Sequence, residues 1–308
     1  MFRESIPVKQ LATWLCAALI PVWIQLTAGE SWLSVATMAV LDGVVVWAVW
    51  RWGRWENKLM LGLGIAFEVL LLGSLLPCAA LVWPDGNQYP AVPLGILALS
   101  AWSAWKGPRE AAGVGCVLYW VVLVVYLLIL GVGIGEIQVQ WLAPERPNLL
   151  PLAMTVGLLP GAAAVWKGEE SRWIAKLILP MVMATLAAVV TAGALSPWLA
   201  KETENGFLRL SEGLSIFGMA RHFEAVASAA MTVGWFVTAT VLLSLCAAQA
   251  EKIGAKKPRA VILVCALASA LWMLCEMHIS GGILLIFGSV CWAFLPLLPQ
   301  GIEVEKKS

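Results

Sequence analysis

Two carboxylates stand where a carboxylate is hardest to place. Asp42 lies within the apolar run ATMAVLDGVVVWAVW and Glu68 within LGIAFEVLLLGSLL. At the centre of a bilayer an acidic residue costs about 2.5–3.5 kcal/mol on insertion scales, so each of these must face protein rather than lipid. A carboxyl group so placed can hydrogen-bond a neighbouring helix, line a polar cavity or take part in proton coupling. No Lys or Arg lies at comparable depth to pair with either one. A second set is hydroxylic: Ser228, Thr232, Thr238, Thr240 and Ser244 recur along one apolar stretch, which can face a cavity or pack against its neighbours.

Other chemistry is poorly provided for. Cys16, Cys78, Cys116, Cys246, Cys265, Cys275 and Cys291 all sit in apolar runs, without C-x-x-C spacing or clustered histidine, and are read as buried free thiols. Glu276 and His278 are two residues apart with no third ligand in view, so no metal site is expected there. The GVG at 113–115 and GVGIG at 131–135 follow no strand, and close helix packing explains them better than a phosphate cradle. The sequence holds no Walker loop, no G-x-S-x-G elbow and no H-E-x-x-H. An enzyme is not expected, no residue is read as catalytic, and no cofactor is implied.

The elements that position these residues follow from composition. Of the 308 residues, 61% are hydrophobic and 13% charged, about half the charged share of a soluble domain. A membrane helix needs roughly 20 apolar residues, and ten stretches come near that length: about 11–28, 32–50, 59–83, 90–105, 112–134, 149–166, 174–196, 225–250, 260–277 and 279–297. The first follows Arg3 and Lys9 and is read as an uncleaved first helix. With the N-terminus inside, only Arg146, Lys201, Arg209 and Arg221 of the 20 Lys and Arg fall outside, which is the bias the positive-inside rule demands. No basic face is left for nucleic acid. Many tryptophans, among them Trp32, Trp50, Trp83, Trp105 and Trp198, mark span ends. Trp120, Trp235 and Trp272 lie deeper, as packing residues.

Ten spans divide into five and five, and an odd half-count makes the second half enter from the opposite side. An inverted repeat is expected, with repeat one over about 10–134 and repeat two over about 148–297, inside a single transmembrane domain over 1–308. Pro21 interrupts segment 1; Gly157, Pro160 and Gly161 interrupt its counterpart, segment 6. Proline removes a backbone donor and glycine tolerates strained dihedrals, so discontinuous helices 1 and 6 are expected, with a midplane site between them. The stretch 197–224 is expected as an amphipathic outer loop, with Phe207, Leu210, Leu214 and Phe217 on one stripe; 298–308 is read as a cytoplasmic tail.

The order of these features resembles the spore-germination permease family, the B subunits of Ger-type germinant receptors in the amino acid–polyamine–organocation superfamily. SIPVKQLATWL is similar to the family's opening, through Gln10 and Leu11, and GESWLSV to its second-helix start, through Trp32, Leu33 and Ser34. PNLLP at 147–151, GFLRLSEGLSIFGMARHFEAV with Arg221 and Glu224, and AAQAEKIGAKKPRAVIL extend the likeness over most of the chain. The resemblance implies a five-plus-five inverted fold and a small germinant, typically an amino acid. It also implies a membrane A-type subunit and a C-type lipoprotein as partners, and a bacterial cytoplasmic (spore inner) membrane with both termini cytoplasmic. Carried over by position, the ligand would sit among Ala18 to Pro21, Gly157 to Gly161, and facing groups of segments 3 and 8 such as Glu68 and Thr232. A proton- or sodium-coupled amino-acid transporter is the alternative, and Asp42 and Glu68 fit it. A structural membrane partner with a ligand-free cavity is a third reading.

Overall fold

The computed structural model describes residues 6–26, 31–52, 58–83, 90–142, 165, 178–196, 199, 205–214, 223–277, 279 and 281–294. Among them are ten α-helices: α1 (Val8–Leu26), α2 (Trp32–Trp52), α3 (Lys58–Ala80), α4 (Ala91–Lys106), α5 (Pro108–Gly133), α6 (Ile178–Leu195), α7 (Gly206–Gly213), α8 (Glu224–Ile253), α9 (Pro258–Leu274) and α10 (Gly281–Ser289). A π turn, Val290–Phe294, follows α10. No strand occurs among the described residues.

Four stretches, Lys58–Ala80, Pro108–Glu136, Ile178–Leu195 and Glu224–Ile253, are long and apolar enough to cross a membrane. Their outward faces say what surrounds them. On α5, Val114, Val117, Trp120, Val121, Val124, Leu127 and Leu128 are exposed, while Ala111, Gly115, Tyr119, Val122 and Tyr126 point inward. Both faces are apolar, and α2 and α9 repeat the pattern with Val40, Val44, Val264, Leu267 and Leu271 outward. Water would penalise apolar surface on this scale, whereas lipid is its natural solvent. The chain is a membrane protein.

The bundle is built around α8. Thr238 to Ala250 are buried on every side, which is how a helix apolar all round is used. It packs against α1, α3, α4, α5 and α9. Glycines allow the closest approaches: a side chain at Gly234 would strike the Pro21 ring, one at Gly115 the Trp14 indole, and one at Gly133 the Val190 side chain. Gly115 and Gly133 thus pack helices as their GVG and GVGIG contexts suggest.

Three expectations need correction. α1 is not discontinuous: it runs unbroken from Val8 to Leu26 with Pro21 inside. Proline strips the donor that Ala17 O would accept, and the helix nevertheless continues, tied to α8 one residue further on where Thr238 Oγ1 donates to Ala18 O at 2.7 Å. Trp120 is 63% exposed on the lipid-facing stripe of α5 rather than packed within the bundle. Cys275 is exposed where α9 ends, because the left-handed Glu276 (φ 50°) turns the chain out of the helix.

The amphipathic stripe at 207–214 folds inward. Asn205 Oδ1 accepts from Leu208 N at 3.1 Å and starts α7. Phe207 then stacks on Tyr126 (centroids 4.8 Å apart), with Leu210 and Leu214 also buried. Phe217, Arg221, the PNLLP stretch, Gly157, Pro160, Gly161 and the 298–308 tail lie outside the described residues.

Candidate functional site

Two polar clusters hang on α8. The first is a seam with α1 and the end of α3. Helix ends leave carbonyls without intrahelical partners, and those of α3 are met by side chains. Gln25 Nε2 donates to Cys78 O at 2.6 Å while its Oε1 accepts from Trp235 Nε1 at 2.7 Å, tying α1, α3 and α8 together. Ser228 Oγ donates to Val82 O at 2.7 Å, and Trp83 Nε1 donates to Thr232 Oγ1 at 2.9 Å. Ala18, Pro21 and Thr232, three of the residues expected to bind ligand, therefore meet along this seam. Ala18 is wholly buried under Thr238, and Pro21 is seated on Gly234.

The second cluster lies about 12 Å further along α8, at eight residues of 1.5 Å rise from Thr238 to Cys246. Glu68 is fully buried on α3. Gln249 Nε2 donates to its Oε1 at 2.5 Å, and the Cys246 thiol donates to its Oε2 at 3.2 Å. Cys265 on α9 lies beside Cys246. The π turn brings Cys291 within electrostatic reach of Glu68 and lays the Trp292 indole over Gly64. The extra residue in a π turn re-aims side chains, and such turns cluster at functional positions.

This arrangement accommodates a carboxyl in either state of protonation. A carboxylate accepts from the thiol and the amide as drawn. A carboxylic acid needs an acceptor, and Gln249 Oε1 is buried with no hydrogen-bond partner among the described residues. Turning the amide about its last bond presents that oxygen to Glu68. Glu68 can therefore hold or release a proton without losing Gln249 as its partner.

Asp42 is also fully buried, but on α2, whose main packing partners are α6 and the π turn. Of the hydroxyl set, Ser228 and Thr238 cross to neighbouring helices, while Thr232 and Thr240 bond their own helix at Ser228 O and Phe236 O. Gln25, Gln249 and Ser100, whose Oγ donates to Phe236 O at 3.0 Å, were not singled out from the sequence. An amide or hydroxyl inside an apolar run was the available signal. No group of three His, Cys, Asp or Glu side chains suited to a metal occurs among the described residues. No protein-family model and no curated protein matches this chain.

Proposed function

We propose that the chain is a transporter-like membrane subunit that binds a small nutrient such as an amino acid, in the manner of the germinant-receptor permeases its sequence resembles. The observation that carries this reading is the meeting of α1, α3 and α8. A five-plus-five inverted fold of ten spans surrounds its central site with the first, third, sixth and eighth segments; here α1 and α3 each pack on α8, and Gln25 bridges α1 to α3. The proline of segment 1 falls at that contact, on Gly234. In this arrangement the seam is closed: the Ala18 carbonyl that a ligand ammonium would use is held by Thr238. Ligand entry then means separating α1 from α8 and exchanging that hydroxyl for the ligand's own donor. Germination signalling with an A-type subunit and a C-type lipoprotein, in the spore inner membrane, completes the reading.

The test is a thermal-shift screen of the twenty amino acids on the purified full-length protein. A ligand at about 100 times its Kd stabilises by about 2.7 kcal/mol, roughly a 5–10 °C rise in Tm. If none of the twenty raises Tm, the ligand-binding reading is wrong.

A second reading, proton-coupled transport, is favoured by Glu68 and the two-faced amide of Gln249. Proteoliposomes separate the two. A receptor binds without net uptake, whereas a coupled transporter accumulates solute along an imposed pH gradient and loses that accumulation in Glu68→Gln.

A further inference from the structure

An apolar groove of about 640 Å³ runs along the outside of the bundle between α4 and α9, walled by Leu97, Ala101, Leu263, Ala266 and Ala270 among others. Small alanines on both helices keep it open. Trp105 lines this groove and also a second pocket of about 530 Å³ at the turn from α8 to α9, so the two adjoin. The second pocket is lined by Lys256, Lys257 and Arg259, with Glu251 as its one acidic group. Lys106, at the mouth of the groove, stands 5.5 Å over the Trp102 ring. All four cationic residues are exposed. A hydrocarbon trough with Lys106 at its mouth thus opens into a cationic cup where Lys256, Lys257 and Arg259 outnumber Glu251 by two charges.

The shape and the charge select one class of ligand: an amphiphile with a long apolar tail and a negatively charged head. We propose that this is a site for an anionic phospholipid, with an acyl chain along α4 and α9 and the head-group phosphate in the cup. A basic pocket between membrane helices at the head-group level is suited to such lipids, and each Lys or Arg near the surface contributes about fivefold in affinity. The bundle supplies its own control. A groove of about 600 Å³ between α2 and α6, lined by Ala36, Ala39, Val40, Met181, Val182 and other uncharged residues, has no cation in its wall among the described residues. It can take a tail but cannot choose among heads.

The experiment is native mass spectrometry with parallel thermal shifts on the purified full-length protein. It compares phosphatidylglycerol, phosphatidylcholine of the same acyl chains, and inorganic phosphate. Phosphatidylglycerol is expected to be retained and to raise Tm more than phosphatidylcholine, with inorganic phosphate doing neither. Lys256→Gln with Lys257→Gln, both at exposed positions, lowers phosphatidylglycerol affinity about 25-fold and leaves phosphatidylcholine unchanged; Lys106→Gln alone lowers it about fivefold. Ala101→Phe with Ala266→Phe fills the trough and weakens phosphatidylglycerol without touching a charge. Equal retention of the two lipids by the wild type overturns the proposal. So does a head-group preference that survives the lysine substitutions, or stabilisation by inorganic phosphate equal to that by the lipid.

Discussion

The two polar clusters on α8 use the same kinds of side chain to opposite ends. At the α1 seam, Thr238, Ser228 and Gln25 donate to main-chain carbonyls of Ala18, Val82 and Cys78, the last two at the end of α3 where the membrane would leave carbonyls unsatisfied. At Glu68 the donors Gln249 and Cys246 serve another side chain. The seam repairs the backbone. The second cluster maintains a buried carboxyl, which is costly at membrane depth.

The comparison can be broken in order of effect. Gly234→Leu drives a side chain into Pro21 and should lower stability by about 3 kcal/mol, roughly a 6–12 °C fall in Tm, because overpacked seams cannot relax. Gln249→Leu leaves Glu68 Oε1 buried without its donor and should cost about 2 kcal/mol by thermal unfolding. Thr238→Val, which keeps shape and removes one hydrogen bond, should cost about 1 kcal/mol. Glu68→Gln should change Tm by the equivalent of less than about 1 kcal/mol, since the shape and an acceptor oxygen remain. The sharpest version pairs two changes. Glu68→Leu with Gln249→Leu should recover much of the stability lost in Gln249→Leu, because removing both polar partners is nearly neutral. A double variant less stable than either single one would show that the cluster holds the fold together, and the contrast with the seam would fail.

Much of this was legible in the sequence, for physical reasons that differ from place to place. The extents of α2, α5 and α8 follow the apolar runs closely because composition alone sets them: 32–50 against Trp32–Trp52, and 225–250 against Glu224–Ile253. The run 260–277 overshoots α9 by three residues, since apolarity continues past Leu274 while the left-handed backbone at Glu276 ends the helix. The burial of Glu68 and Asp42 could be expected from the cost of exposing them to lipid. The unbroken course of α1 could not. Whether a proline breaks a helix depends on what packs around it, and Thr238, which ties α8 to α1 at that level, lies 220 residues away. The same distance hid Gln25, whose partners Cys78 and Trp235 come from two other helices. Trp120 looked like a packing residue by depth, but depth along a helix says nothing about which face a side chain takes.

The burial of α1 has a consequence for biogenesis. Most residues from Leu11 to Ile24 are enclosed, and the enclosing surfaces belong to α5, α6 and α8. α1 is thus synthesised before any of the three helices that enclose it. At 5–20 residues per second, the 220 residues from Ala18 to Thr238 take about 10–40 s to synthesise. Throughout that interval Gln25 is without Trp235, and Pro21 faces lipid or an insertion factor instead of Gly234. A nascent chain halted before α8 should therefore present α1 as an unassembled, proline-bearing segment, the kind of surface that insertion chaperones hold and membrane proteases clear.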